Sequence, residues 1–557
     1  MKIRSIREKE KGEKHMYISK SPRKGQKGIL IIASLCLFLG SCVTIDPETV
    51  GDHSPDPYNS DKHQPTAEMK DTKTEAKAPL VNTYGPIKMN VKEAILIAME
   101  NNRSLIVERY NPSLRSTFEE QEAAVFDPVI GGGANYSRDD TLALPRITSG
   151  FFDTTNQESN INMGVTKFFP TGTNVAVDAD ANWESSDIVG DLYHTRLGLS
   201  VTQALLRGRG TDVNLATLRQ ARLDTKITEY QLRGFVEDLV AQVEDTYWDY
   251  ALAQRQIKIL EDSLKLAEQQ LYETEEMIKV GRMAETEVAA VNAEIAFRRQ
   301  NLITARANLT TTGLHLLRLL NPPGPDIWTR ELILLVQPKL PNINLEDVES
   351  HVAVALRMRP ELNQARLNLQ IDELEIVKTK NGLLPVLNFF ITLGKTGYAN
   401  SFGGSFSSLT DDFYDLSAAI RFEYPYKNRA AEASYGRSLL RRDQEEEAIN
   451  NLAQLVELDV RTAYVDVNRE KDQIEATKVT RESQEESLRV ETERFRVGKS
   501  TNFLVAQAQR DLLVSQLAEV QAIADYLKGI VELYRLEGSL LERYGISVPG
   551  REPIPKS

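Results

Sequence analysis

From Val213 to Lys279 apolar residues recur at Leu232, Phe235, Leu239, Val243, Tyr247 and Tyr250, a spacing that places them on one face of a helix. The pattern then tightens to Ile257, Leu260, Leu264, Ala267 and Leu271, the three-and-four step of a coiled-coil seam. No proline interrupts the stretch, and Gly234 is its one internal glycine. About 67 residues at ~1.5 Å each predict a rod of roughly 100 Å, far longer than the helices of ordinary domains. Val280-Gly281-Arg282 should end the rod, because a glycine after the last periodic residue is a helix C-cap signal. A return helix is then expected from about Ala284 to Leu320, stopped by Asn321-Pro322-Pro323-Gly324.

The second half of the chain repeats this plan. Val243, Tyr247, Asp249, Gln256 and Ile257 match Val460, Tyr464, Asp466, Gln473 and Ile474 at an offset of 217, and Val280-Gly281 matches Val497-Gly498. Nearer the start of each half the offset is 257, where Leu105 matches Leu362 and Pro128 matches Pro385. One supersecondary unit is therefore duplicated, and the first copy carries 40 extra residues between Pro128 and about Ala216. The second copy predicts a long helix from about Arg429 to Arg496, a turn at Val497-Gly498-Lys499 and a return helix from about Thr501 to Arg543. Each return helix is about half as long as its partner. Shorter helices, about Asn90 to Ala124 and Leu345 to Asn381, can complete the length if stacked end to end with it.

Between the helices the period drops to two. Val175, Val177, Ala179, Ala181 and Trp183 share one face of a strand, opposite Asn174, Asp178, Asp180 and Asn182. Leu197, Leu199 and Val201 alternate with Arg196, Gly198 and Ser200; Leu416, Ala418, Ile420, Phe422 and Tyr424 stand opposite Ser417, Arg421 and Glu423. Strands are expected near 127–138, 160–169, 173–183 and 194–205 in the first repeat, and near 386–397 and 414–425 in the second. The insertion is thus one extra hairpin, at about 140–190. A half-exposed soluble sheet gives the same alternation. Aromatic residues at the strand ends (Phe168-Phe169, Phe389-Phe390, Phe413-Tyr414, Tyr424 and Tyr426) favour transmembrane strands of ~10 residues instead. Six strands are too few for a closed membrane barrel, and an open edge cannot face lipid, so several chains must share one barrel.

The start of the chain supports export. Arg23, Lys24 and Lys27 precede the apolar run Ile29 to Leu39, which is short for a membrane helix and reads as a secretory signal peptide over residues 1–41. Leu39-Gly40-Ser41-Cys42 resembles a bacterial lipobox, so Cys42 should carry a diacylglycerol and acyl chain after cleavage. The only other cysteine, Cys36, leaves with the signal peptide, and no disulfide remains available. Removing the ten basic and three acidic residues of 1–41 takes the net charge from −13 to about −20, which argues against a nucleic-acid partner. Residues 42–86, rich in Asp, Lys, Pro, Thr and Ser, form the lipidated N-terminus and a flexible tether.

These features, with Gln203-Ala204-Leu205-Leu206-Arg207-Gly208 closing the first strand set and a Val-Gly tip in each repeat, resemble the outer membrane efflux protein family typified by TolC over about residues 87–546. The resemblance implies a mixed α and β fold, internally duplicated. In it, long helical hairpins form a periplasmic α-barrel, and each chain lends strands to a β-barrel shared by a homotrimer. It also implies an exit duct in the outer membrane of a Gram-negative bacterium, a passive conduit serving an efflux pump or a type I secretion system. The partners implied are a periplasmic adaptor and an inner-membrane transporter. Val280, Gly281, Arg282, Val497, Gly498 and Lys499 match the family's adaptor-docking tips, although good turn residues would look the same. Acidic residues that narrow the tunnel in some members would fall near Leu504 and Gln507, which are not acidic; Glu285 and Glu287 are the candidate substitutes, solvated glutamates being the alternative. The extra hairpin departs from the family's four strands per protomer, leaving twelve or eighteen strands for the trimer. Asp178 and Asp180 are the candidate pore-lining residues of the barrel.

By these readings the chain divides into a first repeat at 87–325, an inter-repeat linker at 326–344, a second repeat at 345–546 and a tail at 547–557. The six histidines are scattered and no His, Cys, Asp or Glu group has metal-ligand spacing, so no cofactor beyond the lipid, no metal and no enzymatic role are expected. The alternative from another class is a periplasmic adaptor or structural coiled-coil lipoprotein that bridges membranes without conducting. It would not need two hairpins interleaved with membrane-like strands.

Overall fold

A computed structural model describes residues 84–143, 152–187, 190–339 and 345–555. The expected signal peptide, Cys42 and the expected tether up to residue 83 lie outside the described residues. The fold begins with strand β1 (Ile87–Met89) and helix α1 (Val91–Asn101). Asn90 starts α1 as a capping box: its side chain accepts from the Glu93 N–H, and the Glu93 carboxylate accepts from the Asn90 N–H.

The helix expected over 90–124 is broken into α1, α2 (Arg103–Glu108) and α3 (Tyr110–Ala123); the first break falls at Asn102, which adopts an extended conformation and caps α2 with its own side chain. Four strands follow: β2 (Val129–Ala143), β3 (Phe152–Phe169), β4 (Thr173–Ser186) and β5 (Gly190–Ala204). The long helix α4 spans Ala216–Lys279, and α5 (Glu287–Leu320) returns beside it. Within the expected linker at 326–344, strand β6 (Leu332–Leu334) pairs in parallel with β1.

In the second repeat the helix expected over 345–381 is also split, into α6 (Val348–Met358) and α7 (Pro360–Gly382). Arg359 precedes a proline, whose ring disfavours helical geometry in the residue before it. Strands β7 (Val386–Ala399) and β8 (Tyr414–Glu423) lead to α8 (Arg429–Arg496) and α9 (Asn502–Leu536). Here the return helix stops earlier than expected, at Gly538 with φ 71°, and α10 (Leu540–Tyr544) is a separate turn of helix. The tail folds back: the Ile554 N–H donates to Asn363 Oδ1 at 2.9 Å.

The duplication is visible in the packing. Ile95, Ala98, Leu105 and Val243 are buried in the first core, and their counterparts Val352, Ala355, Leu362 and Val460 are buried in the second. α4 packs against α3 and α5 and also against α7 and α9, while α8 packs against α6, α7 and α9. This leaves α2, α3 and α5 on one flank and α8 on the other.

Candidate channel wall and helical tips

Among the described residues the strands form a six-stranded antiparallel sheet in the order β2-β3-β4-β5-β7-β8. The extra hairpin, β3 and β4, stands in line between β2 and β5 and is part of the same sheet. One register row runs Ile130, Val165, Val177, Leu199, Leu393, Leu416 across all six strands, and every one of these side chains is exposed. In water these side chains would forgo part of the roughly 1.5–3 kcal/mol that full burial of each provides. Facing hydrocarbon, the row is matched to its surroundings, and β2, β3, β4, β5 and β7, at 14 to 18 residues, exceed the ~9–11 that a tilted membrane strand needs. Aromatic rings gather toward the end of this face farther from the helices: Trp183 lies 6.4 Å from Tyr193, and Tyr193 lies 4.7 Å from Phe402. At the helical end, the turn between β3 and β4 is tied down by Asn214, whose Nδ2 donates to the Pro170 and Gly208 carbonyls at 2.9 Å.

The opposite face of the sheet is polar. Asp178, Gly198, Gly394 and Asp415 are register partners on β4, β5, β7 and β8. Arg196 fits between the two aspartates, with Nη1 3.2 Å from Asp178 and Nη2 3.0 Å from Asp415. The glycines make room for it: a Cβ on Gly394 would lie 2.6 Å from Arg196 Nη2, and one on Gly198 would lie 2.3 Å from the Asp178 carboxylate. Asp180 is the register partner of Arg196, one row further from the helices. Sequence alternation placed Asp178 and Asp180 on this face but gave no sign that Arg196 joins Asp178 to Asp415 of the other repeat.

At the opposite end of the helices the two tips have the same geometry. The Gly281 N–H donates to the Ile278 carbonyl at 2.9 Å and Arg282 N–H to Met277 at 2.8 Å; Gly498 donates to Phe495 at 2.9 Å and Lys499 to Arg494 at 2.8 Å. These are Schellman caps, which need a left-handed residue at the first position after the cap, and φ is 73° at Gly281 and 74° at Gly498. Val280 and Val497 are each 68% exposed, so both tips present an apolar side chain to solvent.

Just behind the tips, Asn502 locks the two hairpins together. Its Oδ1 accepts from Gln270 Nε2 at 2.9 Å and Thr274 Oγ1 at 3.3 Å, and its Nδ2 donates to Glu287 at 3.3 Å. Glu287 is thus held at an interhairpin contact, whereas Glu285 is exposed at the turn, as are Leu504 and Gln507 on α9.

The interhairpin contact continues with residues that sequence periodicity did not single out. Arg298, 1% exposed, reaches Glu294 at 3.0 Å, the Ser263 carbonyl at 2.7 Å and Gln509 at 3.1 Å, while Arg510 meets Glu294 at 2.5 Å. Burial pushes the Glu294 carboxyl up, but Arg510 and Arg298 outweigh it and hold the group below its ordinary value. Nearer the sheet, buried His351 and Glu537 meet at 2.5 Å. The repeat offsets could have flagged this pair, because they place His351 and Glu537 where the first repeat has the buried apolar residues Ala94 and Leu320.

No helix among the described residues is long and apolar enough to cross a membrane, and no group of three or more His, Cys, Asp or Glu side chains there is arranged to hold a metal ion.

An amphipathic six-stranded sheet continued by paired helical hairpins, whose long arms are 64 and 68 residues, defines a channel-type outer membrane fold. The chain belongs to the outer membrane efflux protein family, whose sequence profile matches residues 152–322 and 352–539. The fold is similar to that of the outer-membrane channel OprN, with 17% identity, a TM-score of 0.59 and coverage of 81% of this chain and 90% of that one. It is also similar to the Campylobacter jejuni CmeC outer membrane channel (15% identity, TM-score 0.57, 81% and 86% covered). The open state of the Neisseria gonorrhoeae MtrE outer membrane channel gives 17% identity and a TM-score of 0.56, with 81% and 89% covered. No curated protein sequence matches the chain.

Proposed function

We propose that the chain is the outer membrane exit duct of a tripartite efflux pump or type I secretion system, a passive conduit that works with a periplasmic adaptor and an inner-membrane transporter. Three copies close one β-barrel and one helical tunnel, and a lipid on Cys42 anchors each copy. The observation that carries this is the sheet's pair of free edges. β2 and β8 run antiparallel to each other at opposite ends of an even-stranded sheet, so β8 of one copy can pair with β2 of the next without changing the alternation. With all six strands in line, three copies give eighteen strands.

The helical flanks ask for the same neighbour. Val107, Tyr110, Leu114 and Phe118 form an exposed apolar stripe on α2 and α3, and Leu440, Leu455, Leu458, Val465 and Val479 are exposed on α8. Such patches mark association surfaces. The Val-Gly tips then face the adaptor, with Gly281 and Gly498 allowing close approach. A bridging lipoprotein that does not conduct would have no use for the apolar sheet face. Purified protein in planar bilayers should produce long-lived unitary conductance steps. Absence of conductance from protein that inserts into the bilayer would contradict the duct.

A further inference from the structure

The polar sheet face is charged in one place by design of three strands rather than one. Asp178 and Asp180 come from β4, in the inserted hairpin; Arg196 comes from β5; Asp415 comes from β8 in the other repeat. Three carboxylates less one guanidinium leave a formal charge of −2 per chain at this level. The guanidinium lies over the Gly198-Gly394 part of the row, where any side chain would strike Asp178 or Arg196 itself. The arrangement is therefore built around the arginine. A chance surface ion pair would not need two adjacent strands to be bare at the same register.

We propose that Arg196 sets the ion selectivity of the barrel by offsetting the acid that the inserted hairpin brings to the lumen, leaving a belt that favours cations only moderately. The inference rests on the duct reading, in which this face lines the pore. A low-dielectric wall confines the field of such a belt. At about 0.1 M salt the Debye length is ~10 Å, so the belt acts across much of a narrow lumen, and at 1 M, with ~3 Å, it acts much less. Glu158 and Glu184, register partners on the same face two rows beyond Asp180, add to the acid but are not joined to Arg196, so their contribution is common to wild type and variant. The solutes favoured are small cations and cationic organic molecules.

The test is the reversal potential of single channels of the full-length protein under a KCl gradient. Arg196→Gln should raise the ratio of cation to anion permeability roughly two- to fivefold at low salt, with the change shrinking at 1 M. Arg196→Lys keeps the charge but loses the planar fork that reaches both aspartates, and it should stay near wild type. Asp415→Asn should move the ratio the other way, which keeps the inference testable if Arg196→Gln fails to assemble. Equal shifts in the Gln and Lys variants would make Arg196 a strand clamp and overturn the proposal. So would a conducting wild type whose selectivity neither Arg196→Gln nor Asp415→Asn changes. A wild type that inserts but conducts nothing would instead overturn the duct reading, and this inference with it.

Discussion

Asn102 and Arg359 occupy the same break in the two repeats and hold it by different chemistry. Their backbone angles nearly coincide, φ −62° and ψ 122° against φ −57° and ψ 124°. Each N–H donates to an alanine carbonyl four residues back, Ala98 at 2.8 Å and Ala355 at 3.0 Å. Each side chain then reaches the end of the return helix: Asn102 Nδ2 donates to the Leu319 carbonyl at 2.9 Å, and Arg359 Nη1 donates to its repeat counterpart, the Leu536 carbonyl, at 3.3 Å. An amide and a guanidinium thus satisfy the same orphan carbonyl at a helix terminus. Asn102→Ala, which loses both the cap on α2 and this contact, should destabilise the first repeat by about 1–2 kcal/mol. The check is a lower melting temperature by circular dichroism, with Asn102→Asp, which keeps the cap, losing less.

The tips should tolerate substitution in the fold but not in function. A Cβ at Gly281 or Gly498 would meet nothing within 4 Å, so the only penalty is the left-handed backbone, about 1–2 kcal/mol for each site. Gly281→Val with Gly498→Val should leave assembly and outer membrane location unchanged while reducing adaptor capture and export. Crosslinkers placed at Arg282 and Lys499 should trap an adaptor in the wild type. Export at wild-type rates in the double variant would refute docking at the tips.

Burial pushes the Glu237 carboxyl up to about 8, with Arg233 beside it opposing only in part. The folded chain therefore holds a proton that the unfolded chain has released above about 4.5. Its contribution to stability is full below that value and is lost as the pH rises through about 8. Glu237→Gln fixes the neutral form, so its melting temperature relative to wild type should rise between pH 5.5 and 8.5. A constant difference over that interval would show that Glu237 does not titrate there.

Much of this was legible in the sequence. The bounds of α8, the two Val-Gly turns and the presence of all six strands follow from apolar periodicity and glycine placement. The breaks at Asn102 and Arg359 did not, because one residue leaving helical geometry barely disturbs a 3.6-residue pattern; Pro360 was the available sign for one of them. Strand β3 begins at Phe152 rather than near 160, since the stretch Asn156 to Asn160 is polar on both faces and has no alternation to detect. The Arg298 contacts were invisible for a different reason. Gln509 lies 211 positions away, and only the packing of one hairpin on the other brings it to a buried guanidinium.

Lipidation of Cys42 has a direct check in metabolic labelling with a palmitate analogue. Wild type should be tagged and Cys42→Ser should not. Val43 rather than aspartate follows the cysteine, so by the lipoprotein sorting rule of well-studied bacteria the protein should reach the outer membrane. Equal labelling of both forms would place the acyl chain elsewhere or exclude it.

If neighbouring copies complete one barrel by pairing β8 with β2, the wild-type protein extracted in mild detergent should hold three copies per particle in native mass spectrometry. The trimer should persist through gentle activation. A stable single copy under the same conditions would leave both sheet edges unpaired in the membrane and would contradict it.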